Sequence, residues 1–271
     1  MSSQITFYEK NKIDLDNNNV AITVTDSVAT NTGESFAFYI QNRKETSAWL
    51  TTGSSDAGTT TMTVDAGSGF SINTIILTGI NFDSYTIQYY NGSIYTDFST
   101  AINVTGNTSE NVRHQFDSVN ARYIKIIITG TIVPDSDKII RQLIITEELG
   151  KFAGWPIIGK PTHSTNKRKT RMLSGKTNLV ESIGAFSCEL SVKNWSSDAD
   201  LTILEEIYFS FDGVLLQLNG FDEAQFSSNR IGYRNQDIYL VKPSDSYTPE
   251  WANGLYVTGM KIKMKLEEVI R

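Results

Sequence analysis

The fold of this chain is decided by the stretch from Thr46 to Glu148, and the clearest part is Ala121-Arg122-Tyr123-Ile124-Lys125-Ile126-Ile127-Ile128-Thr129. Successive side chains of a β-strand point to opposite faces of its sheet. The segment therefore predicts one strand with two different faces. One face carries Ile124, Ile126 and Ile128, and the other carries Tyr123, Lys125, Ile127 and Thr129.

Further β-rich segments fill the first 148 residues, separated by turn-forming residues. Val20–Thr25 and Phe36–Ile40 are rich in β-branched or aromatic residues, which favours strands. Asn91-Gly92 lies between Ser84–Tyr90 and Ile94–Phe98, and this dipeptide is typical of a two-residue hairpin loop. Short strands between such turns favour a β-sandwich over β-α-β units.

Six segments resemble, in their order, a discoidin-like (factor 5/8 C-type, galactose-binding-like) jelly-roll β-sandwich over residues 18–148. They are Ala48–Leu50, Thr61–Gly67, Ile75–Leu77, Asp83–Tyr90, Ala121–Ile126 and Gln142–Ile145. The resemblance implies an attachment domain, with Trp49 in its core. It also implies that glycans, lipids or proteins bind to loops at one end, here 42–47, 51–58, 80–84 and 103–111. These loops are polar and lack the apolar spikes of lipid-binding members, so we expect no membrane insertion.

Three tyrosines of this stretch are candidates for stacking on a sugar ring: Tyr85, Tyr89 and Tyr95. Because Tyr85 and Tyr89 share one face of the same strand, packing against the other sheet is the favoured alternative for these two.

The pattern changes after Glu148. Five Gly or Pro residues between Gly150 and Pro161 predict a linker or extended connection. We therefore divide the chain into a sandwich at 1–148, a connection at 149–166 and a smaller α+β assembly domain at 167–271. The fold class is mainly β.

The last part contains a predicted helix and two predicted strands. Ala185–Lys193 alternates apolar and polar residues and places Cys188 on the buried face. Ser197 then caps an amphipathic helix that ends near Gly213 and packs on a sheet. Met260–Glu267 alternates apolar residues with charges, mostly lysines. This pattern predicts a half-buried antiparallel strand, and lysines are common on exposed edge strands.

The sequence contains no catalytic constellation, so we expect no enzymatic activity. His114 and His163 are 49 positions apart on either side of the predicted boundary, and both read as surface residues. Neighbouring glutamates such as Glu147-Glu148 point in different directions, which solvated element ends explain. Cys188 is the only cysteine, which excludes an intrachain disulfide and favours a reducing compartment. We read it as a buried, inert thiol.

Asp14 and Asp16 open a segment that resembles the first half of a calcium loop. The sixth position is Asn19 where an EF-hand needs glycine, and the twelfth is Thr25 where it needs glutamate. An EF-hand is therefore excluded. Discoidin-like sandwiches often hold a structural calcium, so a looser site at Asp14 and Asp16 stays open beside the alternative of a polar turn. We expect no other cofactor.

The net charge of −6 is unevenly distributed. Seven basic residues and no acid lie between Leu149 and Val180, so the rest of the chain is more acidic than the total suggests. An acidic body disfavours nucleic-acid binding. The densest basic cluster, formed by Lys167, Arg168, Lys169 and Arg171, is a candidate docking arm for an acidic neighbour such as another copy. A solvated loop is the alternative.

Residues 160–271 also resemble bacteriophage distal-tail and baseplate modules. The resemblance is carried by Met172–Lys176, Phe186–Val192 and Asp200–Tyr208, in that order. It implies a structural virion protein of the tail, of the distal-tail or fibre-adaptor type, made in the host bacterial cytoplasm. Such a protein forms homo-oligomers and assembles with other tail and baseplate proteins. Its outward sandwich could bind a host-surface glycan. The alternative is a stand-alone carbohydrate-binding adhesin or accessory module.

Overall fold

The computed structural model describes residues 6–17, 19–41, 47–151, 157–158, 162–171, 177–192, 198–210, 212–217, 238–244, 248–254 and 257–269. These residues form two compact units. Among the described residues, the first unit covers 11–148, and the second combines residues 6–10 with those from Leu149 onward.

The chain is mainly β, as the sequence predicts. In chain order the strands are β1 (Thr6–Tyr8), β2 (Ala21–Asp26), β3 (Trp49–Leu50), β4 (Thr60–Thr78), β5 (Phe82–Tyr90), β6 (Tyr95–Thr96), β7 (Ile102–Val104), β8 (Val112–Thr131), β9 (Ile139–Ile140), β10 (Gln142–Thr146), β11 (Glu148–Lys151), β12 (Ile157–Ile158), β13 (Thr162–Arg171), β14 (Thr177–Val192), β15 (Val214–Gln217), β16 (Ile238–Pro243), β17 (Thr248–Gly254) and β18 (Val257–Glu268). A 3-10 helix covers Glu34–Gln41, and the α-helix α1 covers Asp198–Phe209.

The first unit is a β-sandwich built around the long antiparallel ribbon of β4 and β8. Their register runs from Thr60 opposite Ile128 to Leu77 opposite Val112, with a shift after Asp65. The strand β2 pairs with the first half of β4, and β10 pairs with the second half. Side chains from both halves of the ribbon enter one apolar core. The ribbon therefore wraps around that core.

Trp49 lies fully buried in the core, and its Nε1 donates a hydrogen bond to Thr32 O at 3.0 Å. This confirms the predicted structural role of Trp49. The predicted strand at Phe36–Ile40 is wrong, because these residues belong to the 3-10 helix. Ala37, Ile40 and Gln41 are buried there, a spacing of three and four that fits a helix and not a period of two.

The second unit is one antiparallel sheet with α1 packed on it. The strand order is β11-β1-β15-β16-β18-β14-β12, with β13 on β14 and β17 on β18. Ile203, Leu204 and Ile207 of α1 enter the same apolar cluster as Phe186 and Leu190, which confirms the predicted packing of the helix on a sheet. Because β18 pairs with β14, β16 and β17, it is an interior strand and the edge-strand interpretation is wrong.

The predicted domain boundaries differ from the structure at two places. Thr6–Tyr8 pairs with β15 in the sheet of the second unit, so the sandwich is inserted between β1 and β11. The predicted connection at 149–166 contains parts of β11, β12 and β13. With only four residues in β11 and two in β12, these strands are too short to give a recognisable period of two.

Candidate functional site

Five loops of the sandwich lie at one end, which we call the loop end: residues 27–33, 51–59, 79–81, 105–111 and 132–138. Asp26, Thr60 and Ile128 are register partners, so the loops that adjoin their strand ends lie together. Backbone and amide hydrogen bonds then connect these loops directly. Thr30 N–H donates to Thr52 O at 3.0 Å, Ile80 N–H to Glu110 O at 2.9 Å, and Asn81 Nδ2 to Asp137 O at 2.8 Å.

A buried ion pair holds the loop end together from inside. The side chains of Lys138 and Asp26 are both 0% exposed, and Lys138 Nζ lies 3.9 Å from Asp26 Oδ2. The ammonium also donates to Ser54 Oγ at 2.7 Å, to Ser55 O at 2.8 Å and to Gly58 O at 3.4 Å. Since a buried charge is tolerated only when it is paired and hydrogen-bonded, this oxygen cage fixes the loop 51–59.

The carboxylate of this pair is held in its ionised form. Burial alone raises the pKa of Asp26. Hydrogen bonds from the Thr60 hydroxyl, from the N–H groups of Ala29 and Val28 and from the Ser54 hydroxyl outweigh burial and lower that pKa to about 2. The same bonds tie the start of the loop 27–33 to the loop 51–59.

Carboxylates form the outer rim of the loop end. Asp56 N–H donates to Asp135 Oδ1, and Asp135 N–H donates to Asp56 Oδ2, both at 3.1 Å. Asp137 Oδ1 accepts the N–H of Ser54 at 2.9 Å. The Oδ2 atoms of Asp135 and Asp137 have no hydrogen-bond partner in the described part of the chain. Two carboxylate oxygens of this rim are thus available to accept hydrogen bonds from hydroxyl groups.

Two exposed valines flank these carboxylates. Val28 is 44% exposed and Val133 is 66% exposed. The loops 51–58, 80–84 and 103–111 carry no large exposed apolar residue, as expected; residues 42–46 lie outside the described residues. The sequence interpretation missed the loops 27–33 and 132–138. Apolar residues in short polar loops were the signal that could have found them.

Of the three predicted sugar-stacking tyrosines, Tyr85 is buried and Tyr89 is partly buried against the core. Tyr85 is 1% exposed, and its hydroxyl lies 2.9 Å from His114 Nε2. Tyr89 packs against the core, with its ring centroid 5.0 Å from that of Phe98. His114 is half-buried beside Tyr85, and burial lowers the pKa of its imidazole to about 4. Tyr85 and Tyr89 face the core because they share one face of β5.

The third candidate, Tyr95, lies on the solvent-facing side of the sheet with two tyrosines that the sequence interpretation missed. Its ring centroid is 5.4 Å from that of Tyr90, which in turn is 5.8 Å from that of Tyr123. The three side chains are half-buried. The alternation that places Tyr123 opposite Ile124 was the signal that could have found this cluster.

The calcium candidates Asp14 and Asp16 form a polar turn. Asp14 is 2% exposed, and its Oδ1 accepts the N–H of Asp16 at 3.1 Å. Asn17 Nδ2 donates to Lys12 O and Ala66 O. Within the described ranges, no group of three or more His, Cys, Asp or Glu side chains is placed to hold a metal ion.

The basic cluster lies on a strand and not on a loop. In the register of β13 and β14, Lys167 is opposite Glu181, and the other three basic residues are opposite uncharged ones. Those pairs are Arg168 with Val180, Lys169 with Leu179 and Arg171 with Thr177. Among the described strands β13 pairs with β14 alone, so it is an outer strand of the sheet.

Two remaining observations concern the second unit and the whole chain. Cys188 is buried, as predicted, and burial raises the pKa of its thiol to about 11. No described helix combines the length and apolar character needed to span a membrane.

Comparison with known proteins gives one family and several solved structures. Residues 21–138 match the F5/8 type C domain. Chitosan-binding module 1 of a chitosanase/glucanase from Paenibacillus sp. IK-5 is 21% identical, with a TM-score of 0.40 over 51% of this chain and 98% of that one. The family 32 carbohydrate-binding module of NanJ from C. perfringens, in complex with galactose, is 17% identical, with a TM-score of 0.37 over 53% and 99%.

Comparison with curated proteins gives no match. The matched stretch contains Trp49, the long ribbon and all five loops of the loop end. Residues 21–138 of this chain therefore form an F5/8 type C, discoidin-like domain.

Proposed function

We propose that this chain is an attachment protein that binds a glycan at the loop end of its F5/8 type C unit. The observation that carries the proposal is the carboxylate rim, in which Asp135 and Asp137 each keep one oxygen without a partner in the described part of the chain. Carboxylate oxygens accept strong hydrogen bonds from hydroxyl groups. The neighbouring Val133 offers an apolar contact for the C–H face of a sugar ring.

The buried pair beneath the rim supports this function by fixing the loops in advance. Lys138 and Asp26 join two loops that are far apart in sequence, and Asp137 binds Ser54 of the same cage. A binding surface that is ordered before the ligand arrives loses less conformational entropy on association. The interior charges therefore orient the rim, while the rim itself contacts the ligand.

The test is glycan-array binding and calorimetry with the double variant Asp135→Asn, Asp137→Asn. Asparagine tolerates the left-handed conformation of Asp135, whose φ is 60°, and it can still accept the N–H of Ser54 through its carbonyl oxygen. We expect at least roughly tenfold weaker binding, about 1.4 kcal/mol. The matched control is Asp117→Asn, an exposed aspartate outside the loop end. Equal binding by both variants would place the ligand elsewhere.

We further propose that the second unit builds the sandwich into an assembly, as a structural virion protein of a bacteriophage tail or baseplate. Its partners are then other tail proteins and further copies of this chain, and it has no catalytic role. The basic outer strand β13 supports docking to an acidic neighbour, because an outer strand has unpaired backbone groups and this one adds positive charge. The alternative is a stand-alone carbohydrate-binding adhesin.

Oligomeric state separates these two proposals. In light scattering and negative-stain images, we expect rings or particles from the wild type and smaller species when Lys167, Arg168, Lys169 and Arg171 are changed to serine. The control changes Lys261, Lys263 and Lys265 of the interior strand β18 to glutamine. A wild-type monomer that binds glycans favours the adhesin, and assembly by the β13 variant would exclude docking through this strand.

A further inference from the structure

The solvent-facing side of the sandwich sheet carries an aromatic surface away from the loop end. Tyr90 is the register partner of Tyr95, and Tyr123 lies on the neighbouring strand β8. The ring pairs Tyr90–Tyr95 and Tyr90–Tyr123 both meet edge to face, at interplanar angles of 60° and 90°. We call these three side chains the tyrosine face. It lies beside Asn91–Ile94, at the end of the strands opposite the loop end.

Two cations hold the rings in place. Lys125 Nζ lies 3.4 Å from the centroid of the Tyr95 ring, and Arg122 Cζ lies 4.8 Å from that of Tyr123. A cation over an aromatic ring is attracted by the negative face of the π system. No described ring stacks parallel to Tyr95. The cations therefore fix two rings while leaving aromatic surface half exposed to solvent.

The charges of this face balance locally. Arg122 binds both oxygens of Asp65, at 2.7 and 2.8 Å. Lys125 has no carboxylate partner among the described residues. Its register partner Gln88 donates a hydrogen bond to the exposed Asp97, and this carboxylate supplies one negative charge. The patch is thus close to neutral on a chain of net charge −6. It has no excess positive charge to attract a polyanion.

The polar atoms of this face suit hydroxyl groups. Burial is the main cause that raises the pKa of Tyr95. The nearby Tyr123, Tyr90 and Asp65 raise it further, and a hydrogen bond with Thr63 acts in the opposite direction. The phenol therefore remains a protonated donor at neutral pH. A phenol ring offers an apolar body and a polar tip, which together match the C–H face and the hydroxyl rim of a pyranose.

From these contacts we infer that the tyrosine face is a second carbohydrate-binding surface, which takes the pyranose rings of an uncharged polysaccharide. Tyr95 and Tyr123 provide the stacking surface, and Gln88, Thr63 and the phenol hydroxyls provide hydrogen bonds. The site is separate from the carboxylate rim and needs no residue of the loop end. A chain with both sites contacts one polymer at two places, which raises its avidity without new contacts at either site.

The test is affinity electrophoresis in native gels that contain a soluble polysaccharide. The uncharged probes are galactomannan, xyloglucan and dextran, and polygalacturonate is the anionic probe. All variants carry Asp135→Asn and Asp137→Asn, so that the loop end is weakened and the tyrosine face is measured alone. We expect this background protein to be retarded by at least one uncharged polymer and not by polygalacturonate.

Adding Tyr95→Ala should reduce the apparent affinity at least roughly tenfold, whereas Tyr95→Phe should retain most of it because the ring remains. The control Tyr208→Ala changes a tyrosine of the second unit, and urea unfolding verifies that each variant is folded. Three outcomes would overturn the inference. The background protein is not retarded, it is retarded only by polygalacturonate, or its retardation is unchanged by Tyr95→Ala.

Two further proteins, the wild type and Tyr95→Ala with the loop end intact, are run beside the background protein and separate the two proposals. If only the loop-end variants lose binding, the tyrosine face is excluded and the proposed function stands. If only Tyr95→Ala loses binding, the tyrosine face binds the glycan and the proposed role of the loop end is wrong.

Discussion

The loop end and the tyrosine face each contain one aspartate paired with one basic residue. The two pairs differ in depth, that is, in how far their side chains are buried from solvent. Asp26 and Lys138 are 3.9 Å apart with side chains that are 0% exposed. Asp65 and Arg122 are only 2.7 Å apart, but their side chains are 25% and 46% exposed. The shorter distance belongs to the pair that water screens. Depth, and not distance, therefore decides what each pair contributes.

The physical reason is the different consequence of losing one partner. An exposed partner that loses its opposite charge is simply hydrated, so an exposed pair contributes little. A buried partner cannot be hydrated and remains as an uncompensated charge in the interior. We therefore assign the buried pair to the stability of the loops and the exposed pair to the shape of a surface.

The largest expected effect follows from removing the buried cation. Lys138→Met leaves the carboxylate of Asp26 without its opposite charge and removes the three oxygen contacts of the ammonium. We expect a loss of about 3–5 kcal/mol in the free energy of unfolding, measured with urea. The double variant Asp26→Asn, Lys138→Met should recover a large part of this loss, because no charge is then buried alone.

Arg122→Met is the matched control on the tyrosine face. We expect no resolved change in the urea midpoint for this variant, because Asp65 stays hydrated. Equal destabilisation by Lys138→Met and Arg122→Met would show that depth does not distinguish the two pairs.

A smaller effect separates two glycines, one in each region. Gly33 at the loop end has a φ of +66°, and a Cβ there would lie 2.1 Å from Leu50 O. Gly92 lies in the hairpin loop between Tyr90 and Tyr95 with a φ of +101°, and a Cβ there would meet nothing within 4 Å. Both substitutions to alanine strain the backbone, but only Gly33→Ala also collides with backbone atoms.

We expect Gly92→Ala to cost about 1–2 kcal/mol through the left-handed conformation alone. Gly33→Ala should cost more, because the backbone of Leu50 in β3 has to move to relieve the contact. Thermal or urea unfolding of the two variants gives the comparison directly. Equal losses would mean that the loop end adapts as freely as the hairpin at Gly92.

The sequence predicted those parts of the sandwich that depend on local patterns. The alternation around Ile124 gave the two faces of β8, and Trp49 was correctly placed in the core. Asn91-Gly92 correctly marked a hairpin, although its loop has four residues because Asn91 Oδ1 accepts the N–H groups of Ser93 and Ile94. The faces of β8 and the hairpin are encoded in neighbouring residues, whereas the core position of Trp49 followed from the resemblance to the discoidin-like family.

The loop end could not be predicted in this way, because its central contacts join distant parts of the chain. Lys138 meets Ser54 at a separation of 84 residues, and nothing near Lys138 in sequence indicates a buried ammonium. A lysine is usually exposed, so composition points to the wrong environment. The insertion of the sandwich after β1 was missed for a similar reason, since Thr6–Tyr8 finds its partner β15 more than 200 residues later.

The last expected effect concerns pH and compares the two aspartates. The pKa of Asp26 is about 2 in the folded protein against an ordinary value of 3.8, so the unfolded chain binds its proton first. The stabilisation from this carboxylate is complete above pH 3.8 and disappears as the pH falls toward 2. The hydrogen bond from Arg122 is the main cause that lowers the pKa of Asp65, but solvent screens this pair.

Urea unfolding across this acid range, with Asp26→Asn and Asp65→Asn beside the wild type, measures both contributions. The difference in the free energy of unfolding between the wild type and Asp26→Asn should shrink as the pH falls from 3.8 toward 2. Protonation then neutralises Asp26 in the wild type, and the variant has no charge at this position at any pH. The corresponding difference for Asp65→Asn should be smaller at every pH. If the Asp65 difference is the larger one, screening by water does not decide between these pairs, and the tyrosine face must then be treated as a stabilising element of the sandwich.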